Sequence, residues 1–348
     1  MLLSVLISLI LTLAIVLLPA RWVTNLNDMS GVQKFHSQPT PRIAGIPVFL
    51  SFFIGLWYLD LQEVSYTFLL LASLPVFMGG LIEDVTSRVS PLLRIITTLT
   101  SVVMAFIWLD ININFLGFYW LDYALSNYIA LSLLLTLLVV TGLVNAINII
   151  DGYNGLMSGY SILVLLSIAY IANILGDDLV LQLSFLLTLS LLGFFVFNFP
   201  FGKIFMGDGG AYFVGFMMAV IGLMLTIRNE EVSHWFILLL FIYPLYETVF
   251  SVYRKKIVRN TSPTQPDKYH LHMMIYKRLV KRKIFKNNKA LCNSMTSPFL
   301  WALSLVGIIP AVIWYDSQTM LIIWAFIFMI IYTIIYRRIV HFKFKFKK

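Results

Sequence analysis

The sequence predicts an all-α membrane protein that crosses the bilayer many times. Hydrophobic residues make up 60% of its 348 residues and charged residues only 12%, which is far from the balance of soluble domains. A bilayer core takes about 20 apolar residues per helix, and eleven apolar runs approach that length. They cover about residues 2–20, 43–59, 66–82, 92–109, 128–147, 156–175, 180–198, 210–227, 235–251, 298–314 and 320–336.

The basic residues predict the orientation of these spans. With the N-terminus outside and the spans alternating, every Lys and Arg except Arg228 falls on an inward connection. This positive-inside pattern places the C-terminus in the cytoplasm, so the net charge of +9 indicates membrane orientation and no nucleic-acid partner. We expect residues 1–348 to form one integral membrane domain, with 252–297 as its largest cytoplasmic loop. The single cysteine excludes an internal disulfide.

The polar residues at the end of the fifth span form the central candidate segment of the chain. Asn145, Asn148 and Asp151 are spaced by three, so on a helix they share one face. Gly152 and Gly155 allow the backbone to turn and to approach a ligand closely. Such groups at membrane depth are costly unless they are paired or used. A plain helix terminus capped by Asn and Asp side chains is the alternative.

Two further polar segments belong to the first and third spans. The loop before the second span presents His36 and Arg42, and its prolines favour an extended path; a stiff connector is the alternative. Glu83 and Asp84 end the third span and diverge by about 100° on a helix. Adjacent acids at a membrane boundary suit metal binding or proton handling, although solvated interface acids would look the same. Ser90-Pro91 predicts the start of the fourth helix.

A glycine-rich segment precedes the eighth span. Gly207, Gly209 and Gly210 surround Asp208 and leave its carboxylate open to a metal or a phosphate. The following helix N-terminus favours an anion, and Lys203 offers a point charge to phosphate. The same residues would also suit an ordinary turn.

The largest inward loop carries two histidines and a basic segment. His270 and His272 share a face if the chain is extended there. Zinc is disfavoured because no cysteine or second histidine pair lies nearby, so the pair better suits a pyrophosphate. The basic segment that follows, with Arg278, predicts a solvated positive-inside face or a site for anionic lipid headgroups.

The polar clusters all fall on the predicted cytoplasmic face, where we expect an active-site cleft. A transporter or lipid flippase would also explain the spans and their polar groups. It explains poorly why the clusters share one face and why the opposite loops are short. A structural scaffold predicts none of these clusters.

In this order, the clusters resemble the polyprenyl-phosphate N-acetylhexosamine-1-phosphate transferases of glycosyltransferase family 4. This family includes the distantly similar phospho-MurNAc-pentapeptide translocases. The resemblance runs from about residue 34 to 280. Its segments are His36-Ser-Gln-Pro-Thr-Pro-Arg42, Glu83-Asp84 with Ser90-Pro-Leu-Leu-Arg94, Asn145-x-x-Asn148-x-x-Asp151-Gly152-x-Asn154-Gly155, Met206-Gly-Asp-Gly-Gly210, and Ser262-Pro263 through Pro266-Asp267 to His270-Leu-His272.

The resemblance implies the transfer of an N-acetylhexosamine-1-phosphate from a UDP-sugar to undecaprenyl or another polyprenyl phosphate, with release of UMP. It implies Mg²⁺ or Mn²⁺, and it places the active site at the cytoplasmic face of a bacterial inner membrane. The product would start a surface polysaccharide such as an O-antigen of lipopolysaccharide, a capsule or a teichoic acid. We leave the choice of sugar open, and likewise a homodimer.

The resemblance also assigns roles to individual residues. Asp208 matches the metal-ligand aspartate, and Asp151 is the second expected metal ligand. The catalytic set is Asp84, Asp151, His270 and His272. The expected substrate-binding residues are His36, Arg42, Glu83, Arg94, Asn145, Asn148, Asn154, Lys203, Asp267 and Arg278.

Three positions depart from the family pattern. Glu83 stands in the usual Asp-Asp pair, Ala44 in the usual Gly-Gly after Arg42, and Met273 where a further histidine is common. The last departure argues against a peptidoglycan precursor and towards an N-acetylhexosamine for a surface polysaccharide. Because a phosphate monoester is mostly dianionic at pH 7, we favour single displacement, with Asp84 positioning the acceptor or assisting residual deprotonation. A covalent aspartyl-phosphate route stays open.

Overall fold

The structure is a computed structural model that describes residues 2–18, 40–59, 66–258, 260, 269–284 and 289–340. In these ranges all regular secondary structure is helical. The α-helices are α1 (Leu2–Val16), α2 (Gly45–Leu59), α3 (Tyr66–Thr86), α4 (Pro91–Trp108), α5 (Tyr119–Asn127), α6 (Ile129–Ile150), α7 (Leu156–Leu175), α8 (Asp178–Asn198), α9 (Gly207–Arg228), α10 (Trp235–Leu240), α11 (Ile242–Tyr253), α12 (Leu271–Ile275), α13 (Lys289–Ser294), α14 (Ser297–Ile313) and α15 (Gln318–Val340). Two π-helical segments, Arg254–Val258 and Tyr276–Ile284, follow α11 and α12.

In the residues that the structure describes, each predicted apolar run coincides with helix, whereas eleven as the number of spans stays a prediction. In the described part of the chain, eight helices are long and apolar enough to cross a membrane. α1 and α2 are shorter, at 15 residues each. The predicted start of the fourth helix is confirmed, since the Ser90 hydroxyl accepts the Leu93 N–H at 3.2 Å and Pro91 opens α4.

The ninth predicted run, 235–251, differs most from expectation because it divides into α10 and α11. Pro244 has no N–H, so it leaves the carbonyl of Leu240 without its usual helical donor. The Tyr160 hydroxyl of α7 donates to this carbonyl at 2.7 Å. A side chain from another helix therefore supplies the hydrogen bond that the proline removes, which stabilises the break.

The helix α9 lies at the centre of the molecule, and nearly all of its residues are buried. It packs against α2, α3 and α6. Glycines allow two of these contacts to be very close: a Cβ on Gly45 would lie 2.5 Å from the Gly210 nitrogen, and one on Gly80 would lie 2.4 Å from the Gly209 nitrogen. The polar start of α9 is thereby held directly against α2 and α3.

Candidate active site

Asp208 is the point where several of the predicted site residues meet. It lies in the first turn of α9 with its side chain 17% exposed. Arg94 of α4 donates from Nη1 to Oδ2 at 2.7 Å, and Asn148 of α6 donates from Nδ2 to Oδ1 at 3.2 Å. Arg42 Nη2 lies 3.9 Å from Oδ1. Two guanidinium groups thus face one carboxylate at the end of the central helix.

The Asp84 carboxylate of α3 forms hydrogen bonds with the same end of α9. Its Oδ1 accepts the backbone N–H of Asp208 at 2.8 Å, and its Oδ2 accepts that of Gly209 at 2.9 Å. The carboxylate satisfies two of the unpaired N–H groups of α9, where a negative charge is favourable. Gly207 has φ +80°, and a Cβ there would lie 2.5 Å from Asp84 Oδ2. Glycine at 207 therefore makes this close approach possible.

Asp151 follows the last residue of α6 and belongs to the same electrostatic environment. Part of its side chain reaches solvent, but the surrounding protein excludes most water. This burial is the largest cause that raises the pKa of Asp151 to about 7. The Arg42 guanidinium lowers that pKa, whereas the Asp208 carboxylate raises it further. Asp151, Arg42 and Asp208 therefore act on one another's charge.

The histidine motif reaches the loop between α6 and α7. His272 Nε2 lies 3.8 Å from the position a Cβ on Gly152 would take. The Tyr153 ring lies edge-on to the His272 ring at 5.5 Å between centroids. The His270 ring stacks on that of His272, with centroids 5.2 Å apart and planes at 6°. The two predicted histidines thus pack beside the loop that carries Asp151.

Two other predicted residues contact nearby backbone. The Glu83 carboxylate accepts the Val89 N–H at 2.7 Å, which holds the turn after α3. Asn145 donates from Nδ2 to the Thr141 carbonyl of its own helix at 2.8 Å. Asn145 therefore does not join Asn148 on Asp208, although both lie on the same face of α6. Their roles in substrate binding stay predictions.

Lys203 and Arg278 lie on elements that flank the site. The exposed Lys203 places its Nζ 5.4 Å from the centre of the Phe201 ring. Arg278 donates from Nη1 to the carbonyls of Ile339 (2.8 Å) and Val340 at the end of α15, where a cation suits the last carbonyls of a helix. Contact with substrate by either residue stays a prediction, and His36 and Asp267 lie outside the described residues.

Asn154 is buried, with only 2% of its surface exposed, and forms hydrogen bonds with residues distant in the chain. Its backbone N–H donates to Asn293 Oδ1 at 2.8 Å, and its Nδ2 donates to the Ser294 hydroxyl at 3.0 Å. Its carbonyl accepts the Ser297 hydroxyl at 2.6 Å. These contacts hold the loop after α6 against the start of the C-terminal helices.

The sequence analysis missed two residues that form hydrogen bonds with the segments around the site. Asn198, at the end of α8, accepts the Gly155 N–H at 2.6 Å and donates to the Ile204 carbonyl at 2.8 Å. Glu247 of α11 lies 2.8 Å from His270 Nδ1. Glu247 could have been found as an acid within an apolar run, since an ionisable residue at membrane depth is usually functional or paired.

The donor set fits a divalent cation whose coordination the substrate completes. Within the described ranges, no group of three His, Cys, Asp or Glu residues could hold a metal alone. Mg²⁺ commonly takes one or two carboxylates, with substrate phosphates and water as its other ligands. Asp208 accepts one hydrogen bond on each oxygen and keeps further lone pairs. With Asp151 in the same environment, two carboxylates match that partial donor set.

Comparison with known proteins finds a family profile that matches the middle of the chain. The sequence profile of glycosyl transferase family 4 matches residues 66–226. This range contains Asp84, Arg94, Asn148, Asp151 and Asp208, the residues that converge at the start of α9. Over these residues the chain is similar to glycosyl transferase family 4. With its apolar helices it is a multi-pass membrane protein.

Proteins from several bacteria are similar to this chain over half or more of its length. A probable undecaprenyl-phosphate N-acetylglucosaminyl 1-phosphate transferase of Bacillus subtilis is 28% identical, over 70% of this chain and 68% of the relative. An undecaprenyl-phosphate alpha-N-acetylglucosaminyl 1-phosphate transferase of Thermotoga maritima is 25% identical, over 75% and 76%. A decaprenyl-phosphate N-acetylglucosaminephosphotransferase of Mycobacterium tuberculosis is 31% identical, over 53% and 50%.

Proposed function

We propose that this protein transfers an N-acetylhexosamine-1-phosphate from a UDP-N-acetylhexosamine to undecaprenyl or another polyprenyl phosphate and releases UMP. The observation that carries the proposal is the convergence of Arg94, Asn148 and Arg42 on Asp208, beside Asp84 and Asp151, at one end of the central helix. The names of the relatives favour N-acetylglucosamine as the sugar.

The reaction requires two anions to meet, because the lipid phosphate attacks the β-phosphorus of the UDP-sugar. Arg42 and Arg94 bring positive charge to this point, and guanidinium groups suit phosphate oxygens. The sequence analysis predicted that the N-terminus of α9 favours an anion. Asp84 already accepts the N–H groups of Asp208 and Gly209, so we assign the phosphates to the arginines instead.

Asp208 and Asp151 would hold the Mg²⁺ or Mn²⁺. When bound, this ion would neutralise pyrophosphate charge and stabilise the departing UMP. Asn148 donates to Asp208 Oδ1 and orients that carboxylate. His272 lies beside Gly152 and His270 stacks on its ring, and we expect this pair to act near the diphosphate.

We propose a single displacement, since the attacking phosphate is mostly dianionic at pH 7 and needs little help from a base. Both oxygens of Asp84 accept backbone N–H groups, which favours a positioning role over attack on phosphorus. A UDP-sugar with a chiral β-phosphorothioate separates the routes. Inversion at phosphorus is expected, and net retention would indicate an aspartyl-phosphate intermediate.

We further propose that the site faces the cytoplasm in a bacterial inner membrane, with the N-terminus outside. Basic residues of the connections support this orientation. The acceptor's polyprenyl tail can then stay in the bilayer while its phosphate enters the cleft. The lipid-linked sugar would start an O-antigen, a capsule or a teichoic-acid-like polymer.

The direct test is UMP release by the purified protein in detergent. Undecaprenyl phosphate, Mg²⁺ and a panel of UDP-N-acetylhexosamines are supplied, with lipid-free and EDTA-treated samples as controls. We expect release that needs the lipid, the metal and one particular sugar. A folded protein that releases no UMP from any donor would contradict the proposal, and a flux assay would then test the transporter alternative.

Asp208→Asn tests the metal role. We expect turnover to be lost while the protein stays folded, because the amide keeps the shape of the side chain but not its charge. Asp178→Asn is the matched control, since Asp178 is an exposed acid in the first turn of α8. Near-normal turnover by Asp208→Asn at ordinary Mg²⁺ would exclude Asp208 as an essential ligand.

A further inference from the structure

Glu247 is a buried acid that contacts the histidine motif from behind. It lies on α11 with no exposed surface. Its Oε1 lies 2.8 Å from His270 Nδ1 and accepts the Leu271 N–H at 3.0 Å. Tyr332 of α15 donates its hydroxyl to Oε2 at 2.7 Å. One carboxylate therefore joins α11, the start of α12 and α15.

The chemistry of this contact fixes the proton of His270. A carboxylate only accepts hydrogen bonds, so the nitrogen that faces it must carry a hydrogen. Nδ1 of His270 is therefore protonated in both the neutral and the charged form of the ring. In the neutral form the lone pair is confined to Nε2, and the plane of the ring is set by the 2.8 Å contact.

His270 contacts the site indirectly, because its ring packs on the ring of His272. His270 and His272 stack almost parallel, with planes at 6°. His272 in turn lies against Gly152 and edge-on to Tyr153. A rotation of the His270 ring would remove the surface on which His272 packs. Glu247 thus reaches the α6–α7 loop through two stacked rings.

We infer that Glu247 is a positioning residue for the histidine motif. By holding the Nδ1–H of His270, it sets the tautomer and the plane of that ring, and so keeps His272 against Gly152. The consequence for catalysis rests on the proposed function, whereas the consequence for the tautomer does not.

The competing explanation is that Glu247 merely joins α11 to α15 through Tyr332. The variant Tyr332→Phe separates the two roles. It removes the hydroxyl that donates to Oε2 but keeps the aromatic ring and leaves the contact with His270. If Glu247 acts through His270, the tautomer and the activity should depend on Glu247 much more than on the Tyr332 hydroxyl.

The first measurement is ¹⁵N NMR of histidine-labelled protein in detergent, with the His270 signals assigned from His270→Gln. The wild type should show the proton on Nδ1. This fraction should fall from the wild type to Glu247→Gln, which keeps a neutral acceptor oxygen, and further to Glu247→Leu, which has none. An unchanged fraction in either variant that folds would overturn the inference, and no substrate is needed for this result.

The second measurement is steady-state UMP release. For Glu247→Leu we expect kcat/KM for the UDP-sugar to fall about 10-fold or more, the range that loss of a partner orienting a histidine costs at metal sites. KM for the polyprenyl phosphate should stay unchanged, and Glu247→Gln should recover part of the loss. An equal loss in Tyr332→Phe would favour the joining role. If no protein releases UMP, the proposed function fails, while the NMR result still decides the role of Glu247.

Discussion

At the scale of single residues, the three acids of the site differ in what compensates their charge. Asp208 faces two guanidinium groups, and Asp84 accepts two backbone N–H groups. Asp151 follows the last residue of α6, where burial raises its pKa to about 7 against the partial effect of Arg42. A buried acid with a raised pKa is typical of a functional site, and a bound cation would stabilise the charged form of Asp151.

The raised pKa predicts a pH-dependent stability for the metal-free protein. The pKa of Asp151 rises from 3.8 to about 7 on folding, so its contribution to stability is present below pH 3.8 and is lost as the pH rises through about 7. Asn carries no charge at any pH. We therefore expect Asp151→Asn to raise the Tm of the metal-free protein at pH 8, with a smaller gain at pH 5, while turnover is lost.

Thermal unfolding in detergent with EDTA, at both pH values, measures this difference. The exposed Asp178 again provides the control, and Asp178→Asn should change the Tm equally at the two pH values. A Tm of Asp151→Asn that is equal to or below that of the wild type at pH 8 would show that the Asp151 charge is well compensated without a metal.

At this scale the sequence indicated candidate residues but not the groups that they contact. Asp84, Asn148, Asp151 and Asp208 stood out because each is polar beside an apolar run. The contacts that orient them come from residues distant in the chain, which spacing cannot reveal. Glu247 escaped attention because its run was assigned as a span, although an acid with no exposed surface must find donors such as His270 and Tyr332.

At the scale of elements, the site depends on how closely α3 approaches α9. Gly80 touches the backbone of Gly209, and the Asp84 carboxylate lies one turn further along the same helix. A side chain at position 80 would push α3 away and lengthen the hydrogen bonds that Asp84 accepts. The contact between α3 and α9 and the geometry of the candidate site are therefore set by the same surface.

Gly80→Ala tests this contact. Its Cβ would lie 2.4 Å from the Gly209 nitrogen, and overpacking of this kind costs about 1–3 kcal/mol. We expect a lower Tm and a large loss of turnover. The control is Gly142→Ala in α6, where nothing lies within 4 Å of the new Cβ, and alanine favours a helix by up to about 1 kcal/mol. Equal behaviour of the two variants in Tm and UMP release would contradict the proposed contact.

The helices themselves were predictable because apolar runs near membrane length have few other outcomes. The break between α10 and α11 was not. Pro244 alone permits either a kinked or a divided helix, and the choice depends on whether another group satisfies the Leu240 carbonyl. Tyr160 does so from α7, which is a tertiary contact that no local pattern contains.

At the scale of the whole molecule, the C-terminal helices support a site built from the middle of the chain. Asn293, Ser294 and Ser297 bind the backbone and side chain of Asn154, three residues after Asp151. The profile of the family ends at residue 226, so these supporting residues lie beyond it. The C-terminal helices thus contribute to the position of the α6–α7 loop.

Ser297→Ala tests this support, since it removes the hydroxyl that donates to the Asn154 carbonyl at 2.6 Å. Leaving a buried acceptor unpaired costs about 1–3 kcal/mol, so both Tm and turnover should fall. Ser304→Ala is the control, because the equally buried Ser304 hydroxyl donates only within α14, to Leu300. If Ser297→Ala matches Ser304→Ala in both measurements, the loop does not depend on this contact.

The orientation of the whole chain can be tested across one helix. Lys203 and Glu230 are both exposed and bracket α9, whose 22 residues extend about 33 Å at 1.5 Å per residue. In a Cys292→Ala background, we expect a membrane-impermeant maleimide to label Glu230→Cys in intact spheroplasts and Lys203→Cys only in inverted vesicles.

The reverse pattern would place the site outside the cytoplasm, where UDP-sugars are absent. Labelling of both cysteines from one side would show that α9 does not cross the membrane. Because Arg42, Arg94 and Asp208 meet at the Lys203 end of this helix, the side that labels Lys203→Cys is also the side from which the proposed nucleotide sugar would reach the candidate site.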